Sequence, residues 1–224
     1  MLRKQEDSYR HKGLRRILIE EIKEKGITDQ RVLKAMENIP RHFFLDPAFD
    51  KIAYEDRAFQ IGAGQTISQP YTVAFQTELL DVKPFEKVLE IGTGSVYQSS
   101  VLAEIGALVF TIERQKELYD RTQISYPLKK KYATKIKFFY GDGFEGLPGF
   151  APFDKILITA AAPFVPEKLI AQLKPGGKMV LPLGEQEDRQ TMTRITKLAD
   201  GTLETESFSD FVFVPMLSGK ATKA

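Results

Sequence analysis

The segment Val88-Leu89-Glu90-Ile91-Gly92-Thr93-Gly94-Ser95-Val96-Tyr97, with Ile112-Glu113 downstream, decides how this chain is read. Val88, Leu89 and Ile91 form the aliphatic run of a buried strand. The paired glycines let the backbone turn sharply at its end and approach a ligand closely. The combination predicts a nucleotide-type cofactor cradle at the tip of a first parallel strand. A dinucleotide fingerprint needs another glycine three residues after the second, and that position is Tyr97, so a nicotinamide cofactor is disfavoured. Glu113 ends the next apolar run, where a carboxylate accepts hydrogen bonds from both hydroxyls of a ribose.

Outward from this segment, strands are predicted at 87–91, 108–112, 136–140, 155–159 and 177–182, with helices near 97–105, 115–130 and 166–173. Strand alternating with helix implies a mostly parallel central sheet with helices on both faces and ligands beyond the carboxyl ends of the strands. Residues 190–198 and 203–214 alternate apolar and polar around Asp200-Gly201, which predicts an antiparallel C-terminal hairpin. Upstream, Leu14, Ile17, Leu18 and Ile22 mark an amphipathic helix stopped by Gly26. Val32, Leu33 and Met36 mark a second helix, capped by Thr28 or Asp29 and followed by Pro40. Residues 41–68 show no sustained periodicity and read as a long loop, the kind that usually carries function. Pro70 then opens a helix bearing Val73, Phe75, Leu79 and Leu80. The fold class is α/β, organised as a single domain over 1–224. Residues 1–70 form an N-terminal helical extension and covering loop, and 71–224 form the core.

Glu90, Glu113 and Asp142 (in Gly141-Asp142-Gly143) all fall at predicted strand ends, side by side at one edge of the sheet. There they would contact the amino-acid part, ribose and adenine amino group of one ligand. Singly, each is equally well a cap or a turn residue. Acid-x-Gly-x-Gly with a second acid about twenty residues on resembles the cofactor motif of Rossmann-like S-adenosylmethionine methyltransferases. Where such proteins commonly carry a third glycine, this chain has Val96. Valine disfavours positive φ and adds bulk, which means either a tolerated packing change or weaker cofactor binding.

Further motifs narrow the resemblance: Arg41-His42-Phe43-Phe44, Ala53-Tyr54, Gly64-Gln65-Thr66-Ile67-Ser68-Gln69-Pro70, Ala151-Pro152-Phe153-Asp154, Ala160-Ala161-Ala162-Pro163 and Leu181-Pro182-Leu183-Gly184. With the glycine motif, these resemble the protein-L-isoaspartate O-methyltransferase family over roughly residues 10 to 215. The resemblance implies methyl transfer from S-adenosylmethionine to the α-carboxylate of L-isoaspartyl residues in damaged proteins and peptides, starting repair through a succinimide. It implies Ser68 as the catalytic and substrate-binding serine, with Gln65, Thr66 and Ile67 covering the cofactor. Gly92, Thr93, Gly94, Ser95 and Gly143 then join Glu90, Glu113 and Asp142 in cofactor binding, and Ala161, Ala162 and Pro182 line the peptide channel. Ser68 also reads as a cap before Pro70, and both roles are compatible. A carboxylate is ionised at neutral pH, so the reaction needs no strong general base. The Gly62 and Gly64 loop is expected to close over substrate.

Composition bounds the alternatives. With 224 residues and 42% hydrophobic content the chain is long enough for a proper core, and 32 basic against 30 acidic residues give little steering toward nucleic acid or membrane. The absence of cysteine excludes disulfides, a thiol nucleophile and zinc-thiolate sites. No apolar stretch is long enough to span a bilayer, so the chain reads as soluble and cytoplasmic; separately, it is expected to be a monomer. His11 falls in a mobile-looking N-terminus and His42 lacks partners at metal-ligand spacing, so no metal is expected. The basic segment Arg3 to Arg16 reads as a solvated helix face, and Tyr54 and Phe59 as loop packing. The alternatives are a methyltransferase for RNA or a small molecule, or a non-catalytic peptide-binding relative weakened at Val96.

Overall fold

The computed structural model describes residues 6–124, 126–185 and 189–222. Ser8 caps the first helix, α1 (Tyr9–Glu24): its hydroxyl accepts from the His11 amide while the His11 ring accepts from the Ser8 amide. The buried face of α1 is His11, Arg15, Leu18, Ile19 and Ile22, whereas Ile17, expected inside, is 68% exposed. The rotation follows from Arg15. Its guanidinium is drawn inward by the Glu37 carbonyl (2.6 Å), the Tyr54 hydroxyl (2.8 Å) and both carboxylate oxygens of Asp7 (3.0 Å each). The expected solvated face is therefore partly an anchored one, although Arg3 itself lies outside the described residues. Helix α2 (Gln30–Asn38) is capped by Asp29, which accepts from the Arg31 amide at 2.8 Å, and it buries Val32, Leu33, Ala35 and Met36.

His11 is also packed against the fold. Its ring stacks on that of His42 at 3.8 Å and bonds Asp50 at 2.8 Å, while His42 bonds the Tyr54 hydroxyl at 2.7 Å. Asp7, His11 and His42 thus bring ligand-type atoms within 4.8 Å of one another, a proximity that spacing along the chain concealed, and each is engaged by protein groups. Residues 41–68 hold more structure than their pattern predicts. Short 3-10 turns occupy Arg41–Phe44 and Pro47–Phe49, and an antiparallel hairpin follows, β1 (Phe59–Gly62) and β2 (Gln65–Ile67).

The remaining elements are α3 (Pro70–Leu80), β3 (Lys87–Ile91), α4 (Tyr97–Ile105), β4 (Leu108–Glu113), α5 (Lys116–Ile124), α6 (Lys129–Tyr132), β5 (Ile136–Tyr140), β6 (Phe153–Ile158), α7 (Glu167–Gln172), β7 (Leu173–Leu183), β8 (Gln190–Lys197) and β9 (Leu203–Phe211). The helix expected over 115–130 is two helices. Pro127 disfavours helical geometry in the residue before it, and Leu128 turns with φ 62. The sheet runs β5-β4-β3-β6-β7-β8-β9, parallel through β7 and antiparallel thereafter, with a turn in which Asp200 accepts from the Thr202 amide at 2.9 Å.

Strand alternation sorts the core. Val88, Val109, Leu157 and Val180 face one cluster with the residues of α1 to α4, and Leu89, Phe110, Ile156 and Met179 face the other with Leu169 of α7. Both faces are thus covered, and the carboxyl ends of β3, β4, β5 and β6 share one edge. Among the described residues no helix is long and apolar enough to cross a membrane.

Burial, then the neighbouring His11, hold the His42 imidazole below its ordinary pKa of 6.5. The fold keeps this ring neutral while the unfolded chain protonates it, so its contribution is present above about pH 6.5 and lost as pH falls below it. Melting temperature is expected to drop between pH 7.5 and 5.5, with a shallower drop in His42→Gln. Parallel melting-pH curves for the two proteins would contradict this.

Candidate active site

The strand tips meet around one glycine. Gly92 leaves β3 with φ 101, and a Cβ there would sit 2.4 Å from the Thr159 hydroxyl oxygen. That hydroxyl lies 2.9 Å and 3.0 Å from the carbonyls of Ile91 and Gly92, so the end of β6 is latched to the turn. The amides of Gly92 and Thr93 both donate to the Ile112 carbonyl, and the Gly94 amide donates to Glu113 at 2.9 Å, which latches the turn to β4. The other Glu113 oxygen accepts from the Gln115 amide at 2.8 Å. Each oxygen keeps further acceptor capacity. Burial raises the pKa of this carboxyl.

Around the turn opens a cleft lined by Gln65, Thr66, Ile67, Ser68, Gly92, Thr93, Gly94, Ser95, Glu113 and Gly143 among others. The hairpin β1–β2 covers it, with the Ile61 Cδ1 placed 3.4 Å from where a Gly94 Cβ would be. Five sequence-predicted residues are not on its wall. Glu90 is fully buried, with one oxygen accepting from the Ser99 hydroxyl, and desolvation pushes its pKa up to about 7. Asp142 accepts from the Phe144 amide at 2.9 Å and the Gly219 amide at 2.6 Å, which ties down the C-terminal segment behind the wall. Ala161 and Ala162 are buried. The Ala161 amide donates to the Val214 carbonyl and its carbonyl accepts from Met216, while the Ala162 amide donates to Pro182. Pro182 is the fifth of the predicted residues off the wall.

Several wall residues were not predicted. Val214, Pro215, Met216 and Leu217 close one side, brought there by the Ala161 and Asp142 contacts, and no local motif marks them. Thr159 was legible only as the polar residue ending an apolar strand. Thr66, Ser68 and Thr159 also line a second, adjoining cleft with Tyr71, Arg189 and Phe211, so Ser68 stands where the two clefts join.

The donor set suits a neutral nucleoside with an amino-acid tail better than a pyrophosphate. The wall has one basic residue, Arg114, and its guanidinium donates to the carbonyls of Gly219 (3.1 Å) and Ser218 (3.3 Å). Glu113 would repel phosphate but accept ribose hydroxyls, and Ile91, Ile112, Met216 and Leu217 offer apolar surface to a base. Val96 adopts φ 72, so the position does require left-handed backbone, but its side chain is 1% exposed in the core and absent from the cleft wall. Its cost falls on backbone strain, about 1–3 kcal/mol, which burial of the side chain offsets.

A family model described as protein-L-isoaspartate(D-aspartate) O-methyltransferase matches residues 14–221. The protein-L-isoaspartate O-methyltransferase of Flavobacterium johnsoniae is 52% identical over 217 residues, covering 96% of this chain and 99% of the relative. That of Cytophaga hutchinsonii is 54% identical over 212 residues, covering 95% and 94%. Among solved structures, a protein-L-isoaspartate O-methyltransferase superposes with a TM-score of 0.79 at 28% identity, over 90% of this chain and 65% of that one. A β-aspartate methyltransferase from Plasmodium falciparum, in complex with S-adenosyl-L-homocysteine, superposes with a TM-score of 0.76 at 25% identity, over 92% and 98%.

Val96→Gly is expected to leave S-adenosylhomocysteine affinity within about twofold and to shift the melting temperature by less than about 5 °C, because strain relief and lost packing oppose each other. Calorimetric titration beside thermal melting checks both. A tenfold gain in affinity would show that the valine crowds the ligand.

Proposed function

This chain belongs to the protein-L-isoaspartate(D-aspartate) O-methyltransferase family, and we propose how its own residues divide the work of that reaction. The protein methylates the α-carboxylate of L-isoaspartyl residues in damaged proteins and peptides, using S-adenosylmethionine, and so starts their repair through a succinimide. When bound, S-adenosylmethionine supplies a methyl group activated by its sulfonium. Everything else is binding, orientation and exclusion of water.

In our reading, the bare backbone of Gly92 and Gly94, with Thr93 and Ser95, receives the methionine part. Glu113 accepts from the ribose, and Gly143 with Ile112 and Met216 flanks the adenine. Glu90 and Asp142 act from behind the wall, Glu90 under the turn and Asp142 by holding the C-terminal segment. Gln65, Thr66 and Ile67 cover the ligand from the hairpin. Ser68 donates its hydroxyl to the isoaspartyl carboxylate and aligns an oxygen with the methyl group. Alignment of this kind contributes several kcal/mol. The peptide occupies the second cleft, and Ala161, Ala162 and Pro182 shape its channel indirectly. The observation that carries this assignment is the position of Ser68 at the junction of the two clefts.

The wall suits an acceptor that is already ionised. Its titratable side chains are Tyr97, Glu113 and Arg114, and Glu113 is committed to the Gly94 and Gln115 amides and, in this reading, to the ribose, which leaves no general base for a neutral acceptor. The same reading makes the protein a single-domain cytoplasmic monomer acting without nucleic acid or membrane, which fits its near-neutral charge balance of 32 basic to 30 acidic residues.

Methyl transfer from labelled S-adenosylmethionine to matched peptides is expected to label the L-isoaspartyl peptide and not the aspartyl one. Equal labelling would overturn the acceptor. Ser68→Ala is expected to lower kcat about tenfold or more with S-adenosylhomocysteine affinity within about twofold. Unchanged turnover would remove Ser68 from the site.

A further inference from the structure

Arg41 is among the largest fully buried side chains of the described residues, at 0% exposure. It carries a guanidinium, which stays charged in proteins, yet among the described residues it has no carboxylate within ion-pair distance. Its Nε and Nη1 lack a well-formed hydrogen bond. Desolvation lowers its pKa from the usual arginine value, with partial support from Tyr97 and Asp56. A buried cation this poorly compensated is weak evidence for stability, since an apolar side chain of similar volume fills such a space at no greater cost.

What the guanidinium does hold is specific. Nη2 donates to the Ser68 carbonyl at 2.9 Å and to the Arg57 carbonyl at 3.3 Å. Arg57 precedes β1 and Ser68 follows β2, so one nitrogen staples both stems of the covering hairpin at its base. The guanidinium carbon also lies 5.0 Å from the centre of the Tyr97 ring, at the start of α4 and on the cofactor cleft wall. The staple is therefore fixed to the helix that follows the glycine turn. A planar guanidinium reaches both carbonyls and the ring face together, whereas a lysine ammonium lacks that geometry.

We propose that Arg41 is a positioning residue for methyl transfer: it anchors the hairpin base to α4 and so sets the Ser68 hydroxyl at the junction of the two clefts. This rests on the role assigned to Ser68 above. Displacing a reacting group by about 1 Å costs on the order of a hundredfold in rate, so a residue that touches neither ligand can still govern turnover.

The test compares Arg41→Lys, Arg41→Met, Ser68→Ala and the Arg41→Lys/Ser68→Ala double variant. kcat and KM are measured with an L-isoaspartyl peptide, and S-adenosylhomocysteine affinity by calorimetry. Both Arg41 variants are expected to lose about tenfold or more in kcat/KM for the peptide while binding S-adenosylhomocysteine within about twofold of wild type. The double variant is expected to be little worse than Ser68→Ala alone, because both changes remove one function. Wild-type kcat/KM in Arg41→Lys, or losses that multiply in the double variant, would overturn the proposal. Loss of S-adenosylhomocysteine binding in both Arg41 variants would assign the residue to stability and overturn it as well. A fully active Ser68→Ala beside impaired Arg41 variants would overturn the serine's role, and with it the route through Ser68. An impaired Ser68→Ala beside a fully active Arg41→Lys would overturn only the role of Arg41.

Discussion

The active cleft depends on three strands meeting at a residue with no side chain. At Gly92 the backbone leaving β3 passes so close to Thr159, just past β6, that a Cβ would overlap its hydroxyl at 2.4 Å, and two residues on, at Gly94, the same turn is bonded to Glu113 of β4. Once this approach is made, the Ile112 carbonyl, the Thr159 hydroxyl and the Glu113 carboxylate have directions fixed by bonds within the protein. Preorganisation of this kind leaves little reorganisation for the reaction itself. The same turn explains the backbone of Val96. A left-handed residue is needed where the turn enters α4, and the chain supplies it from a valine whose side chain packs into the core.

The cleft is closed by elements that reach it from opposite ends of the chain. The hairpin β1–β2 arrives from the N-terminal side and is held at its base by Arg41. The segment Val214 to Leu217 arrives from the C-terminal side, held by Ala161 and, beyond it, by Asp142 and Arg114 through Gly219. Three residues that resemblance would place against ligand, Glu90, Asp142 and Ala161, are not among those lining the cleft. Asp142 and Ala161 spend their hydrogen bonds on the covering segment, and Glu90 sits sealed beneath the turn.

Legibility in the sequence followed the range of the interactions. The strands were readable because Val88-Leu89, Val109-Phe110 and Ile156-Leu157 put neighbouring apolar residues on opposite, equally buried faces. The glycine turn with Glu113 was readable because its spacing is set by one strand, one helix and the next strand. Gln65 to Ser68 was readable as a motif, but the hairpin containing it was not, since strands of four and three residues leave no measurable alternation. The stacking of His11 on His42, the inward turn of Arg15 and the staple from Arg41 to Ser68 join residues far apart in sequence, and no local pattern encodes them. Val96 shows the opposite case: the sequence exposed a strained position, and only the packing revealed which way its side chain faces.

The most direct measurement is calorimetric titration of S-adenosylhomocysteine into the wild-type protein and Glu113→Ala, with thermal melting alongside. Wild type is expected to bind, and loss of hydrogen bonds to a charged acceptor should weaken Glu113→Ala by about tenfold or more while the protein stays folded. Wild-type affinity in Glu113→Ala, or no binding by the wild-type protein, would contradict a cleft built around the meeting of Gly92, Thr159 and Glu113.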